Sequence, residues 1–239
     1  MKVQASSHPP ISSQPGSRTA ALAEALRYRI LSMELAPGVV VDELRLCEEF
    51  GLSRPPVREL LRQMAAEGFV ELETNRAPRV TAMGHETIHS FFLVAPLIYC
   101  AMAQLAAKRA SNPEIEVLRG ILVDLRRAVA ANDYMRKIFL SNELHVQIGQ
   151  IASNHHLMPS LRRLLIDHTR LNKFFYSHPS VDGGEDMKLA CDQHELVIDA
   201  LEARDPAKAG EAARAHLELS RQRMVDFTSP FPIEVALVC

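Results

Sequence analysis

At 239 residues the chain has room for one large or two small domains, each able to bury a core without disulfide staples, and two domains is the starting expectation. Its 47% hydrophobic and 23% charged residues exclude a disordered or collagen-like chain. The four cysteines, at 47, 100, 191 and 239, form no CxxC pair, which argues against a zinc ribbon or a disulfide scaffold and for a reducing, cytoplasmic setting. A formal net charge of −2 neither requires nor excludes nucleic acid as a partner, so any basic surface must be local.

Residues 1–17 are rich in Ser and Pro, lack the apolar run of a secretory signal, and read as a disordered tail. Leu22, Leu26, Ile30 and Met33 then recur at helical spacing and mark a first helix that stops before Pro37 and Gly38. A short second helix runs from Asp42, a suitable N-cap, to Phe50. Gly51-Leu52-Ser53 is a tight turn, and a third helix starts near Arg54, with Ser53 able to cap it and Pro55 and Pro56 tolerated in its first turn. After Gly68, residues 69–73 and 79–83 read as short strands around the polar turn 74–78. Three helices, two of them joined by a Gly-containing turn, followed by a hairpin, make residues 18–83 a winged helix-turn-helix with a two-stranded wing.

Residues 84–228 carry helical periodicity and no strand pattern. Breaks at 111–113, 132–133, 158–159, 178–184 and 205–206 predict an all-α bundle of six to seven helices, so the fold class is mainly α. Residues 91–107 are uncharged and mostly apolar, but this stretch is short for a span and holds Pro96 and Gln104. It reads as a buried or interface helix, with no membrane partner expected. Residues 229–239, with two prolines, read as a C-terminal tail.

On the third helix Arg54, Arg58 and Arg62 follow one another at four-residue steps and share a face, while Val57, Leu60, Leu61 and Met64 form a neighbouring apolar face. Guanidinium groups at a helix N-terminus suit a DNA major groove, and Arg76 and Arg79 on the wing add candidate phosphate or minor-groove contacts. The same spacing also fits a solvated charged face, since Glu59 and Glu67 share the helix and residues 18–83 hold 9 basic against 10 acidic side chains.

The run Ala36-Pro37-Gly38, Glu43-Leu44, Gly51 to Leu61 and Glu67-Gly68-Phe69-Val70 resembles the winged-helix signature of GntR-type bacterial transcription regulators over almost all of residues 18–83. The resemblance implies that the helix starting near Ser53 reads the operator through the positions of Arg54 and Arg58. Candidate DNA-contacting residues are thus Ser53, Arg54, Pro55, Arg58, Arg62, Arg76 and Arg79. Ala77-Pro78 stands where the family often has a wing-tip glycine.

In the helical half His145, His194 and His216 fall in three separate helices, where three imidazoles could hold a divalent transition metal and leave positions open for a ligand. A helical histidine is equally a common surface or hydrogen-bonded core residue. Residues 88–225 resemble the C-terminal domain of FadR-type GntR regulators, and these three histidines match that family's metal ligands. The family's aspartate ligand falls at Ser141, one turn before His145. Zinc or nickel, with manganese as a further candidate, is the cofactor that the resemblance implies. Ala95 and Tyr99 stand where many members carry an arginine and a glutamate near the effector, so Tyr99, Ser141, Arg170 and Asn172 are candidate effector-pocket residues.

The function this predicts is a ligand-responsive bacterial regulator, a repressor rather than an enzyme. It would bind double-stranded operator DNA as a homodimer and respond to a small organic acid, because one recognition helix reads only a few base pairs and paired half-sites supply affinity. Phe91, Phe92, Leu93 and Leu97 are candidates for the dimer surface or the core. Two rivals are a metal-free regulator whose histidines hydrogen-bond the effector, and a three-histidine metal hydrolase. The hydrolase lacks a supporting residue, since Glu143 and Glu195 adjoin the histidines in sequence but not on a helix face.

Overall fold

The computed structural model of the chain describes residues 15–176 and 183–228. These fall into two units that divide between Thr81 and Ala82, two residues before the boundary expected at 83.

In the first unit α1 (Pro15–Leu31), α2 (Glu43–Phe50) and α3 (Arg54–Glu67) pack on one another and are followed by β1 (Val70–Glu71) and β2 (Arg79–Val80). Leu22, Leu26 and Ile30 of α1 are completely buried against Leu46 and Phe50 of α2 and Val57, Leu61 and Met64 of α3. Asp42 caps α2 as its sequence position suggests, its carboxylate accepting from the Leu44 and Arg45 amides at 2.9 and 3.1 Å. Gly51 ends α2 at φ +60°, a left-handed conformation that costs glycine nothing and lets α3 start at once.

Four local expectations need correction. α1 begins at Pro15, so residues 15–17 are helical rather than part of a disordered tail, while 1–14 lie outside the described residues. α1 ends at Leu31 and not beyond Met33, because Met33 takes φ +62° and the Leu35 amide returns to the Arg29 carbonyl at 2.8 Å. Ser53 occupies the N-cap position of α3, but its side chain makes no capping hydrogen bond. The strands are two residues each, shorter than 69–73 and 79–83, with Val70 opposite Val80 and Glu71 opposite Arg79. The other edge of β2 pairs with the α1–α2 connection instead: the Val80 amide donates to the Val39 carbonyl at 2.9 Å and the Gly38 amide to the Val80 carbonyl at 2.9 Å.

The second unit is all-helical among the described residues: α4 (His85–Arg109), α5 (Asn112–Ala130), α6 (Tyr134–Ala152), α7 (Met158–Tyr176), α8 (Gly183–Glu202) and α9 (Pro206–Thr228). Six helices agree with the lower expected number, and the breaks at 111–113, 132–133, 158–159 and 205–206 coincide with helix starts. The break at 178–184 falls largely outside the described residues, as does the tail at 229–239. α4 is the one described helix long and apolar enough to cross a membrane, yet it packs against α6, α7, α8 and α9 and buries Phe91, Phe92, Tyr99, Met102 and Ala106. The Glu114 carboxylate starts α5 by accepting from the Ser111 amide at 2.7 Å. Gly149 lets α6 and α7 approach closely, since a Cβ there would lie 2.5 Å from Leu161 Cδ2.

This bundle holds an unusual amount of buried polarity. Lys137, Ser141, His145, Asp167, His168, Thr169, Arg170, His194 and His216 are all under 9% exposed. They sit on α6 to α9, around a core that is otherwise Leu, Ile, Ala and Met.

Candidate metal centre and nucleic-acid interface

Four-residue spacing puts Ser141 and His145 on the inner face of α6, and both are buried. His194 reaches inward from α8 and His216 from α9, and one ring nitrogen from each of the three histidines lies within 4.8 Å of the others. The Nε2 atoms of His145 and His194 stand 3.4 Å apart. Two imidazoles sharing a tetrahedral ion at about 2.0–2.1 Å would hold their nitrogens about 3.3–3.4 Å apart, which the spacing of this pair matches. Burial, reinforced by the neighbouring imidazoles, pushes the His145 and His194 pKa values well below the ordinary histidine value. Both are therefore neutral at pH 7, the form that ligates metal.

A cavity of about 20 Å³ lies among these rings, bordered also by Tyr99, Met102 and Leu161. It has room for about one water-sized atom, so as it stands it suits an ion or a single oxygen, and a larger ligand bound there would have to widen it. Of the expected effector-pocket residues only Tyr99 borders it. Ser141 is buried one turn from His145, and Arg170, completely buried, pairs with Asp167 one turn earlier on α7. The carbonyl of Asn172 accepts from the Tyr134 hydroxyl at 3.2 Å.

Two buried groups escaped the sequence reading. His168 on α7 is 3% exposed, its Nδ1 is 3.0 Å from the Tyr99 hydroxyl, and its ring lies 5.3 Å from that of His145. The available signal was its place three and four residues after Leu165 and Leu164, on the apolar face of α7. Lys137, 1% exposed, precedes Ser141 by one turn on the same face, and its ammonium sits 5.0 Å from the Tyr134 ring centroid.

In the first unit Arg54, Arg58 and Arg62 project from the exposed face of α3 and, with Pro55, border a shallow depression. Ser53 is exposed just ahead of them. Arg58 donates to Glu43 at 2.9 Å and Arg62 to Glu59 at 2.9 Å, while Arg54 makes no ion pair among the described residues. Arg76 pairs with Glu73 beside the wing turn. Arg79 donates to the Gly38 carbonyl at 3.0 Å, which ties it to the α1–α2 connection and away from the wing tip.

Comparison with known proteins accounts for both halves. The model for bacterial regulatory proteins of the GntR family matches residues 18–80, and the FCD domain model matches residues 96–219, slightly more than half of the chain. The chain belongs to the FCD-bearing GntR regulators. It is a DNA-binding, ligand-responsive transcription regulator and not an enzyme. Among the relatives of this regulator, the Nta operon transcriptional regulator of Aminobacter aminovorans is 24% identical over 56% of the chain and 63% of its own length. The repressor RspR of Escherichia coli is 24% identical over 81% of this chain and 82% of its own, and the galactonate operon repressor of the same organism 24% over 85% and 95%. The winged-helix and helical fold recurs in E. coli McbR/YncC, with a TM-score of 0.73 at 18% identity, covering 87% of this chain and 96% of that one. A GntR regulator from Rhodococcus sp. RHA1 gives 0.69 at 19%, covering 89% and 100%.

Proposed function

We propose that this regulator is a metal-containing, carboxylate-responsive repressor that binds its operator in the bacterial cytoplasm as a homodimer. The observation that carries the reading is the cluster of three buried imidazoles, each with a ring nitrogen within 4.8 Å of the others. Zinc or nickel suits three nitrogen donors, with manganese as a further candidate, and His145, His194 and His216 would hold the ion. Bound there, the metal supplies a Lewis-acidic position for an effector oxygen. Ser141 contributes no negative charge, so the effector's own carboxylate would provide it.

Ser53, Arg54, Pro55, Arg58 and Arg62 would face the major groove, with Arg76 and Arg79 contacting the sugar-phosphate backbone. Val94 and Leu97 of α4, 41% and 47% exposed, support the dimer as an apolar strip suited to a second copy. That several relatives are named transcriptional repressors supports repression. Effector binding would act by favouring one of two arrangements of the paired recognition helices, which requires different affinities for the two.

The test is elemental analysis of tag-free protein purified without chelator or added metal. About one equivalent of a transition metal per chain is expected, as for a single closed histidine site. Well-folded protein that takes up none even when supplied with it would leave the metal-free reading, in which the histidines hydrogen-bond the effector directly.

A further inference from the structure

Tyr99, a core residue of α4, and His168 of α7 form a buried pair beside the three-histidine cluster, and its hydrogens can be assigned by counting. Tyr99 Oη and His168 Nδ1 are 3.0 Å apart, both residues are buried, and the phenol has no other hydrogen-bond partner among the described residues. If Nδ1 carried the hydrogen, the phenolic hydrogen would be left with no acceptor in an apolar setting. The economical arrangement has Tyr99 donating to Nδ1. Burial and the Asp167 carboxylate keep the phenol protonated, and burial pushes the His168 pKa down to about 3, so the imidazole is neutral. A neutral ring with an accepting Nδ1 carries its hydrogen on Nε2. That Nε2 is fully buried and meets no hydrogen-bond partner among the described residues.

A buried N–H without an acceptor is rare enough to call for an explanation, and its surroundings supply one. The His168 ring lies 5.3 Å from the ring of His145 and 6.0 Å from that of His216, and Tyr99 itself borders the cavity at the cluster. A protonated Nε2 cannot ligate metal, and His168 stands outside the group whose ligand atoms approach within 4.8 Å. His168 does not itself border the cavity, so its Nε2 would meet an oxygen held at that centre once the occupied cavity extends towards α7.

We propose that His168, oriented by Tyr99, is a specificity-determining hydrogen-bond donor to the carboxylate bound at the three-histidine centre. The inference rests on the metal reading above and adds to it a residue and a polarity: the site prefers an accepting oxyanion over a donor such as an amine. It also gives Tyr99 a function, that of fixing the tautomer of His168.

The probe is formate, the smallest carboxylate, titrated into full-length protein loaded with cobalt(II), whose visible absorption reports the ligands around the ion. His168→Phe keeps an aromatic ring and removes the donor, His168→Gln keeps an N–H, and Tyr99→Phe removes only the hydroxyl. Formate affinity is expected to fall about tenfold or more in His168→Phe, as outer partners of metal sites commonly do. It should fall less in Tyr99→Phe and recover in His168→Gln, while cobalt affinity and circular dichroism stay close to wild type. Unchanged formate affinity in His168→Phe, with cobalt bound, overturns the donor role and leaves the metal reading standing. Loss of the cobalt spectrum in a folded His168→Phe also overturns it, because His168 would then be a ligand. Wild-type protein that binds no cobalt removes the metal reading itself, and the donor role falls with it.

Discussion

His145 Nε2 and His194 Nε2 face each other at 3.4 Å across the space between α6 and α8. In a metal-free bundle one of them must carry a hydrogen for the contact to be favourable, whereas a shared divalent ion satisfies both lone pairs at once. A ligand that binds only the folded state stabilises it by mass action, by about 3 to 4 kcal/mol at free metal 100 to 1,000 times its dissociation constant. Adding zinc to chelator-stripped protein should therefore raise the unfolding free energy of the helical unit by that amount, with a matching rise in its midpoint, and His194→Ala should abolish the response. Unfolding curves with and without metal check it, and an equal response in the variant would count against these ligands.

Ser141 is buried one turn before His145 and contributes no charge. Ser141→Asp should have opposite effects with and without metal. With metal bound, a carboxylate beside three imidazoles adds an ionic ligand, and affinity should rise by about tenfold or more. Without metal, the new carboxylate is a buried charge offset only in part by Lys137, one turn earlier on the same face, and the variant should be less stable than wild type by about 1 kcal/mol. Urea denaturation in chelator and in zinc separates the two effects.

How much of this was legible in the sequence depends on how local the deciding interaction is. Asp42 and Gly51 act on backbone within a few residues of themselves, and the boundaries of α2 follow from them. Met33 kept the helical spacing of Leu22 and Leu26, but the chain had already turned, because the Leu35 amide finds the Arg29 carbonyl. β2 also pairs along its other edge with residues 38–41, which no local pattern announces. The three histidines were found through a family pattern, whereas His168 owes its role to Tyr99, 69 residues away on another helix. Spacing along one helix places a residue on a face; it does not say which side chain arrives opposite.

On α3 Arg58 and Arg62 already have carboxylate partners in the free protein. Arg58 donates to Glu43 at 2.9 Å and must exchange that carboxylate for DNA. Arg58→Ala should weaken specific operator binding by about 1 to 3 kcal/mol and reduce the slope of log affinity against log salt by about one if the contact is to phosphate. Glu43→Gln, which releases the arginine and removes a charge repelled by DNA, should tighten binding modestly. Fluorescence anisotropy at several salt concentrations measures both, and an Arg58→Ala protein with wild-type affinity would remove α3 from the groove.

The buried imidazoles also set a pH dependence. For His145, His168 and His194 burial lowers the folded pKa below the unfolded value of about 6.5, for His168 to about 3. The unfolded chain then binds more protons than the folded one below pH 6.5, so stability is complete above that pH and falls as pH drops. Each such group contributes a slope of about 1.4 kcal/mol per pH unit between its unfolded and folded pKa values. Metal-free protein should therefore lose stability between pH 6.5 and 5, above the range where Glu114, Asp205 and Glu218 titrate. A flat denaturation midpoint across that interval would mean the rings are hydrated or already charged.

Gly149 lies one turn beyond His145, where α6 meets α7. A Cβ placed there would sit 2.5 Å from Leu161 Cδ2 and 3.0 Å from Met158 Sδ. Leu161 is itself buried, so the collision must be relieved by moving α7 or by forcing a poor rotamer. Alanine improves helix propensity by about 1 kcal/mol, and overpacking costs about 1 to 3 kcal/mol, so Gly149→Ala should be destabilising on balance. The larger consequence concerns spacing, because α7 carries His168 and α6 carries His145, and their rings are 5.3 Å apart only while the two helices stay close. Gly149→Ala should thus weaken formate binding to the cobalt-loaded protein more than it weakens cobalt binding, since His194 and His216 come from other helices. A variant that loses stability while keeping wild-type formate affinity would show that the α6–α7 approach serves packing alone.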